Sequence, residues 1–202
     1  MVIDNLCLEK ALWQRGVSLI AGVDEVGRGP LAGPVFACAV IFAKHFFLAG
    51  VQDSKMLTEK QRQYLDPFLR QNAISYALGA ASVQEIDEIN IRQATILAMN
   101  RAIEKLIIKP DYLLIDGENI PNTSCASMGV IQGDQKSFTI AAASIIAKVA
   151  RDNLMRNIDE KYPQYRFAKN KGYGTAEHIQ VLKRIGPSPY HRHTFLKKIL
   201  GD

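Results

Sequence analysis

The chain has 202 residues, 48% of them hydrophobic and 22% charged, with a net charge of +5, as expected for a globular protein that buries one core. Its longest apolar stretches are too short to cross a bilayer, and its first residues lack the basic and apolar regions of a signal peptide, so no membrane partner is expected. Three scattered cysteines favour a reduced, cytoplasmic protein over a disulfide framework.

Nearly continuous apolar runs predict the strands of a sheet that is covered on both faces. They occupy residues 18–24, 35–43, 73–81 and 111–116, followed by a weaker strand over 127–134. Between them, Thr58 is placed to cap a helix that Pro67 interrupts. Apolar residues at helical spacing predict further helices over residues 91–108, 137–160 and 175–185, so the chain mixes strands and helices as an α/β fold. The apolar face of the first of these helices includes Ile107. Ser137 is placed to cap the second, and its alanine-rich part predicts close packing on the sheet.

The positive charge is concentrated near the C-terminus. Residues 1–143 carry 13 Lys/Arg and 15 Asp/Glu, whereas residues 144–202 carry 12 and 5. This distribution fits either a solvated basic face or a partner rich in phosphates. We predict a single domain over residues 1–202, with a basic helical extension from about residue 160.

Acidic residues follow three of the predicted strands. Asp24, Asp116 and Asp134 each lie at a strand end or just after it, and Glu25 stands beside the first of them. Strand ends gather ligands in α/β sheets, and carboxylates placed together need protons or cations to neutralise them. Their hard oxygens suit Mg²⁺ or Mn²⁺, and two such ions can clamp a phosphoryl group in transfer.

Each aspartate also has a simpler interpretation, because aspartates commonly form turns and helix caps after strands. The adjacent pair is harder to explain in that way, since it ends an apolar run. Neighbouring strand residues point to opposite faces, so we expect the strand to end or bulge at Asp24, helped by Gly27 and Gly29.

The loop that follows, Gly27-Arg28-Gly29, suits a ligand that carries phosphate. Its glycines allow close approach of the backbone, and the guanidinium can hydrogen-bond phosphate in a fork. The motif is weak alone and is neither a dinucleotide fingerprint nor a P-loop.

The motif GVDEVGRGPLAGPV at residues 22–35 resembles the opening motif of the ribonuclease HII family, the type 2 ribonucleases H. The resemblance continues through DSKMLTEKQR, LLIDG, GDQKSFTIAAASIIAKVARD, YPQYRFAKNKGYGT and GPSPYHRHTF, and covers most of residues 18–196. Type 3 enzymes carry glutamate at the position of Asp134, and type 1 enzymes lack the adjacent acidic pair. The combination of motifs is therefore specific to type 2.

The resemblance implies a ribonuclease H-like fold, with a mixed five-stranded sheet flanked by helices and a helical C-terminal extension. It implies cleavage of RNA in RNA–DNA hybrids and cleavage 5′ of single ribonucleotides embedded in duplex DNA. The family's metal ligands correspond to Asp24, Glu25, Asp116 and Asp134. Its substrate-binding residues correspond to Gly27, Arg28 and Gly29 at the ribose, Tyr173 at the junction, and Lys55 at a phosphate.

The mechanism expected from these residues is hydrolysis assisted by two ions. The four carboxylates would hold two Mg²⁺ or Mn²⁺ ions, which would activate a water and neutralise the leaving 3′-oxygen. The family resemblance implies products with 5′-phosphate and 3′-hydroxyl ends. Lys148 and Arg151, three residues apart on one helix, either face the DNA backbone or are simply solvated. The alternatives are a non-catalytic nucleic-acid-binding module and another two-metal phosphoesterase; we expect a monomer.

Overall fold

The computed structural model describes residues 5–119, 123 and 125–201. Its strands are β1 (Ile20–Val26), β2 (Val35–Phe42), β3 (Ala73–Ala81), β4 (Tyr112–Asp116) and β5 (Ala126–Val130). They form one sheet in the order β3-β2-β1-β4-β5. The first three strands pair antiparallel, whereas β4 runs parallel to β1 and β5 runs parallel to β4. The predicted mixed five-stranded sheet is confirmed.

Helices cover both faces of the sheet. The α-helices of the described residues are α1 (Cys7–Gln14), α2 (Glu59–Asn72), α3 (Val83–Glu104), α4 (Gly133–Lys136), α5 (Phe138–Lys161), α6 (Phe167–Asn170), α7 (Ala176–Ile185) and α8 (His193–Leu200). Two short 3₁₀-helices span Ser54–Met56 and Pro163–Tyr165. The core on one face of the sheet lies against α3, and the core on the other face lies against α2 and α5. Within the described residues, no helix is long and apolar enough to span a bilayer.

Helix α2 begins as predicted but does not stop at its proline. Thr58 and Gln61 form a capping box at its start, and the helix then runs through Pro67 to Asn72. Pro67 lies on the exposed face, where water can satisfy the carbonyl that its missing N–H leaves free. Leu65 and the fully buried Leu69 hold the helix against the core, so the predicted interruption is wrong.

Helix α3 consists of two segments that meet at Asn90. This residue has φ 66° and ψ 164°, and its side-chain oxygen accepts the N–H groups of Arg92 and Gln93. The predicted start at residue 91 therefore matches the second segment. The helix ends at Glu104, so Ile107 lies beyond it and is 89% exposed instead of sharing the predicted buried face.

Helix α5 is the central helix of the fold and begins at the predicted cap. The Ser137 hydroxyl accepts the N–H of Ile140, and the alanine-rich part that follows is buried. Helix and sheet are so close that a Cβ on Gly22 of β1 would lie 2.1 Å from the carbonyl carbon of Thr139. The expected close packing of this helix on the sheet is confirmed.

The helices after α5 form a small separate core at its C-terminal half. It contains Ala32, Met155, Ile158, Tyr165, Phe167, Leu182 and Leu196. Ala32 belongs to the loop between β1 and β2, so this core ties the loop to the C-terminal helices. That loop carries Gly27, Arg28 and Gly29.

Candidate active site at the ends of the central strands

Asp24 and Glu25 lie within β1, which continues to Val26. Both residues keep regular pairing with β2, so the expected end or bulge at Asp24 is wrong. Pairing with β4 on the other side ends instead at Val23 and Ile115. From Asp24 onward the edge that faced β4 is therefore open, and both carboxyl groups have access to it.

The two acids leave β1 on opposite faces, as strand alternation requires. Asp24 faces α5, where its carboxyl hydrogen-bonds with Ser144, and its Oδ1 also accepts the N–H of Glu25 at 2.7 Å. Glu25 faces α3 and lines a cavity with Thr95 and Met99. Because the strand edge is open here, the two side chains can approach each other without a break in the strand.

Asp116, the last residue of β4, brings the acids together. One carboxylate oxygen each from Asp24, Glu25 and Asp116 lies within 4.8 Å of the other two, the only such cluster among the described residues. Asp116 Oδ1 also accepts the N–H of Gly133 at 2.7 Å, which fixes the side chain. Three of the four predicted carboxylates are therefore within reach of one cation.

Asp134 stands beside this cluster on a different kind of element. Its strand ends earlier than predicted, at Val130, and Gln132 then adopts the left-handed conformation before α4 carries Asp134. The side chain lies 3.7 Å from Lys55 Nζ and also interacts with Asp53. The contact between Gly133 and Asp116 keeps α4 next to the three clustered carboxylates.

The electrostatics of the cluster disfavour negative charge. Burial raises the pKa of Asp24 well above its usual value, and the neighbouring charges of Glu25 and Asp116 raise it further. Burial also raises the pKa of Glu25, although Arg28 opposes this. Burial, with Asp53 and Asp116, raises the pKa of Asp134 to about 6. A divalent cation would relieve this repulsion, and the all-oxygen donor set suits Mg²⁺ or Mn²⁺.

The glycine–arginine–glycine loop and Tyr173 line one cavity with Asp24 and Glu25. Its volume is about 250 Å³. The residues that line it include Gly27, Arg28, Gly29, Asp24, Glu25, Ser54, Lys55, Ser144, Lys148 and Tyr173. Tyr173 is 45% exposed, and its ring lies beside Gly29. A second cavity of about 340 Å³ lies on the α3 side and shares Glu25 and Arg28 with the first. The acids therefore lie between two concave surfaces.

The predicted basic residues have different environments. Lys55 is 81% exposed and lies next to Asp134, where it can reach a ligand. Lys148 lines the cavity but donates to Asp152 at 2.6 Å. Arg151 is fully buried and donates to the carbonyls of Ala32, Pro34 and Lys171. The expectation that Arg151 either faces DNA or is solvated is wrong, because its guanidinium faces the protein interior.

Two polar residues of the site were not predicted. Ser144 contacts Asp24 and forms a 2.6 Å hydrogen bond with Ser54. Its only signal is a hydroxyl within the otherwise apolar run at residues 140–147. Asp53 lies next to Asp134 and accepts the N–H of Lys55 at 2.9 Å. It belongs to the quoted DSK motif, of which only the lysine was assigned a role.

The comparisons with known proteins agree on one family. The family model for ribonuclease HII matches residues 21–198. Ribonuclease HII of Caldanaerobacter subterraneus is 52% identical to this chain, and the match covers 95% of this chain and 80% of the relative. Ribonuclease HII of Caldicellulosiruptor bescii is 50% identical, and the match covers 96% of this chain and 94% of the relative. The crystal structure of ribonuclease H2 from Pyrococcus horikoshii superimposes with a TM-score of 0.75 at 26% identity, covering 90% of this chain and 97% of the other. The chain belongs to the ribonuclease HII family, a group of metal-dependent type 2 ribonucleases H.

Proposed function

We propose that this protein degrades the RNA strand of RNA–DNA hybrids and cuts 5′ of single ribonucleotides embedded in duplex DNA. Family membership supports ribonuclease H activity on hybrids. The finer specificity rests on one observation: Asp24 and Glu25 of the carboxylate cluster line the same cavity as the glycine–arginine–glycine loop and Tyr173. Groups that can hydrolyse a phosphodiester thus lie next to groups that can contact the adjoining sugar.

The carboxylates are proposed to hold the catalytic metal. Asp24, Glu25 and Asp116 fit one divalent cation by their spacing, and their mutual repulsion raises the pKa of Asp24. Asp134, which interacts electrostatically with Asp116, is proposed to share in binding a second cation. Two bound Mg²⁺ or Mn²⁺ ions would supply an activated water and neutralise charge on the leaving 3′-oxygen. The protein's own contribution is to fix these oxygens through Ser144 at Asp24 and Gly133 at Asp116.

The loop and the aromatic residue are proposed to recognise the substrate. A ribose 2′-hydroxyl is both donor and acceptor, so a glycine backbone that the sugar can approach closely is suited to recognising it. Gly27 and Gly29 provide that backbone, and Arg28, 54% exposed, can reach a phosphate. Tyr173 can stack on a sugar or base at the junction. Lys55 and Lys148 are the proposed phosphate contacts.

The remaining predictions concern the whole chain. We propose that residues from about 160 onward belong to the same domain, because their core includes Ala32 from the loop beside the acids. The cysteines of the described residues form no disulfide with one another, which agrees with the proposed cytoplasmic location. We also propose that the protein acts as a monomer and that its metal is Mg²⁺ or Mn²⁺.

Three duplexes of one sequence test the proposal: an RNA–DNA hybrid, a DNA duplex with one ribonucleotide, and plain DNA, each with Mg²⁺ or Mn²⁺. We expect cleavage of the first two and none of the third. Cleavage of plain DNA would instead indicate another two-metal phosphoesterase. Binding of all three without cleavage would indicate a non-catalytic nucleic-acid-binding module.

A further inference from the structure

Arg192 lies immediately behind the glycine–arginine–glycine loop, although it is distant in sequence. Its side chain is fully buried. Nη2 donates to the carbonyl of Gly27 at 2.6 Å, and Nη1 donates to the carbonyl of Arg28 at 2.9 Å. Nε and Nη2 both donate to the carbonyl of Gly33, at 2.9 and 2.7 Å. One guanidinium thus holds the glycine–arginine–glycine loop and Gly33, farther along the same connection between β1 and β2.

The orientation of the loop's N–H groups follows from these contacts. In a trans peptide the C=O and N–H point in opposite directions across a rigid plane. The carbonyl of Gly27 shares a plane with the N–H of Arg28, and the carbonyl of Arg28 shares one with the N–H of Gly29. Because Arg192 draws both carbonyls inward, both N–H groups are turned away from it. No backbone acceptor among the described residues takes either N–H, and residues 27–29 line the cavity beside the acids.

Few other groups could hold the loop in this way. Arg192 is placed over the ring of Phe195, and in the described part of the chain no carboxylate lies within ion-pair distance of it. Burial, with the neighbouring charge of Arg151, lowers its pKa to about 9, so the group remains protonated at neutral pH. The planar guanidinium carries five N–H donors in a fixed fork, whereas lysine offers one ammonium that cannot span three carbonyls.

We propose that Arg192 is a positioning residue for ribose recognition, which aims the N–H groups of Arg28 and Gly29 at the sugar beside the scissile phosphate. The inference rests on the proposed function, because it assigns those N–H groups to the 2′-hydroxyl. Arg192 makes no contact with substrate in this arrangement. Its loss therefore removes the preference for ribose while leaving contacts to the phosphate backbone in place.

The test compares binding to the duplex with one ribonucleotide and to the plain DNA duplex, with Ca²⁺ in place of Mg²⁺ to limit cleavage. In Arg192→Lys we expect the preference for the ribonucleotide duplex to fall roughly tenfold, as for two lost hydrogen bonds of about 0.7 kcal/mol each. Affinity for plain DNA should stay within about twofold, since the phosphate contacts are unchanged. Arg15→Lys, an exposed arginine outside the site, is the matched control and should change neither value.

Gly33→Ala tests the same contact from the loop and decides the question if Arg192→Lys does not fold. Gly33 has φ +85°, which strains any side chain, and an added Cβ would lie 2.5 Å from Met155 Sδ, so the substitution disturbs the backbone whose carbonyl Arg192 binds. A folded variant that keeps the full preference for ribose overturns the inference. So does an equal loss of affinity for both duplexes, which indicates a structural role only. If the unchanged protein has no preference, the proposed function itself fails.

Discussion

The protein buries a set of acidic side chains next to a set of basic side chains, and the two sets differ in how the fold compensates their charge. The acidic set at the ends of β1 and β4 is left with unfavourable charge, because burial and mutual repulsion raise the pKa values of Asp24 and Glu25. The basic set, Arg151 and Arg192 behind the loop, donates to six backbone carbonyls. Both sets lie within the same small region around the cavity.

This difference identifies the acidic set as a site for a ligand and the basic set as a structural support. Carbonyl dipoles compensate the guanidinium groups within the fold, so those charges need nothing from outside. The donors at the carboxylates do not offset their burial, because the pKa values of Asp24 and Glu25 remain raised, and a cation from solution is the natural compensation. Residue type alone does not reveal this, because the basic residues of a nucleic-acid enzyme are expected at the phosphates.

The largest expected effect concerns the acidic set. Asp116→Asn removes the carboxylate that joins β1 to β4, and we expect the cleavage rate on an RNA–DNA hybrid to fall by about 10³-fold or more. Binding to the hybrid, measured by fluorescence anisotropy, should persist. Glu104→Gln, an exposed carboxylate at the end of α3, is the matched control. Full activity of Asp116→Asn at saturating Mg²⁺ would refute the assignment of the metal site.

Substitutions in the basic set should lower the stability of the folded protein. Arg151→Ala leaves the carbonyls of Ala32, Pro34 and Lys171 without their donor, and we expect it to lower the free energy of unfolding by about 3 kcal/mol or more. Denaturant unfolding measures this, with exposed Arg184→Ala as the control. An unchanged midpoint, together with weaker and less salt-sensitive DNA binding, would show that Arg151 contacts phosphates after all.

The two arginines also mark where sequence reasoning reached its limit. The strand at residues 73–81 and the caps at Thr58 and Ser137 depend on neighbouring residues, and they were predicted correctly. The burial of Arg151 depends on a loop more than a hundred residues earlier in the chain, which no local pattern encodes. The same holds for the open edge of β1, which depends on where β4 ends and not on a break at Asp24.

A smaller effect is expected at the surface of the cavity. Tyr173→Ala removes a stacking surface, and at about 1–3 kcal/mol per stacked base we expect kcat/KM on the single-ribonucleotide duplex to fall roughly 5- to 150-fold. Tyr173→Phe should retain most of the activity, because the ring remains. Tyr64→Ala, an exposed tyrosine on α2, is the control. Equal activity of Tyr173→Ala and the unchanged protein would remove this residue from the site.

The smallest effect is a dependence of stability on pH and metal. The raised pKa of Asp134, about 6, means that the native state keeps its proton to higher pH than the unfolded chain does. The stability of the metal-free protein should therefore fall as pH rises from about 4 to 6. Added Mg²⁺ should raise Tm by a few degrees at pH 7.5 and by less at pH 5, where protons compete. Equal shifts at the two pH values would contradict this coupling.

The central claim is that the carboxylates hydrolyse the phosphodiester next to the sugar that the loop recognises. It is tested most directly by the ends of the products from a labelled duplex with one ribonucleotide. We predict a cut immediately 5′ of the ribonucleotide, leaving a 3′-hydroxyl on the upstream strand and a 5′-phosphate on the ribonucleotide. A cut 3′ of the ribonucleotide that leaves a 2′,3′-cyclic phosphate would contradict the account, because the 2′-hydroxyl would then be the nucleophile.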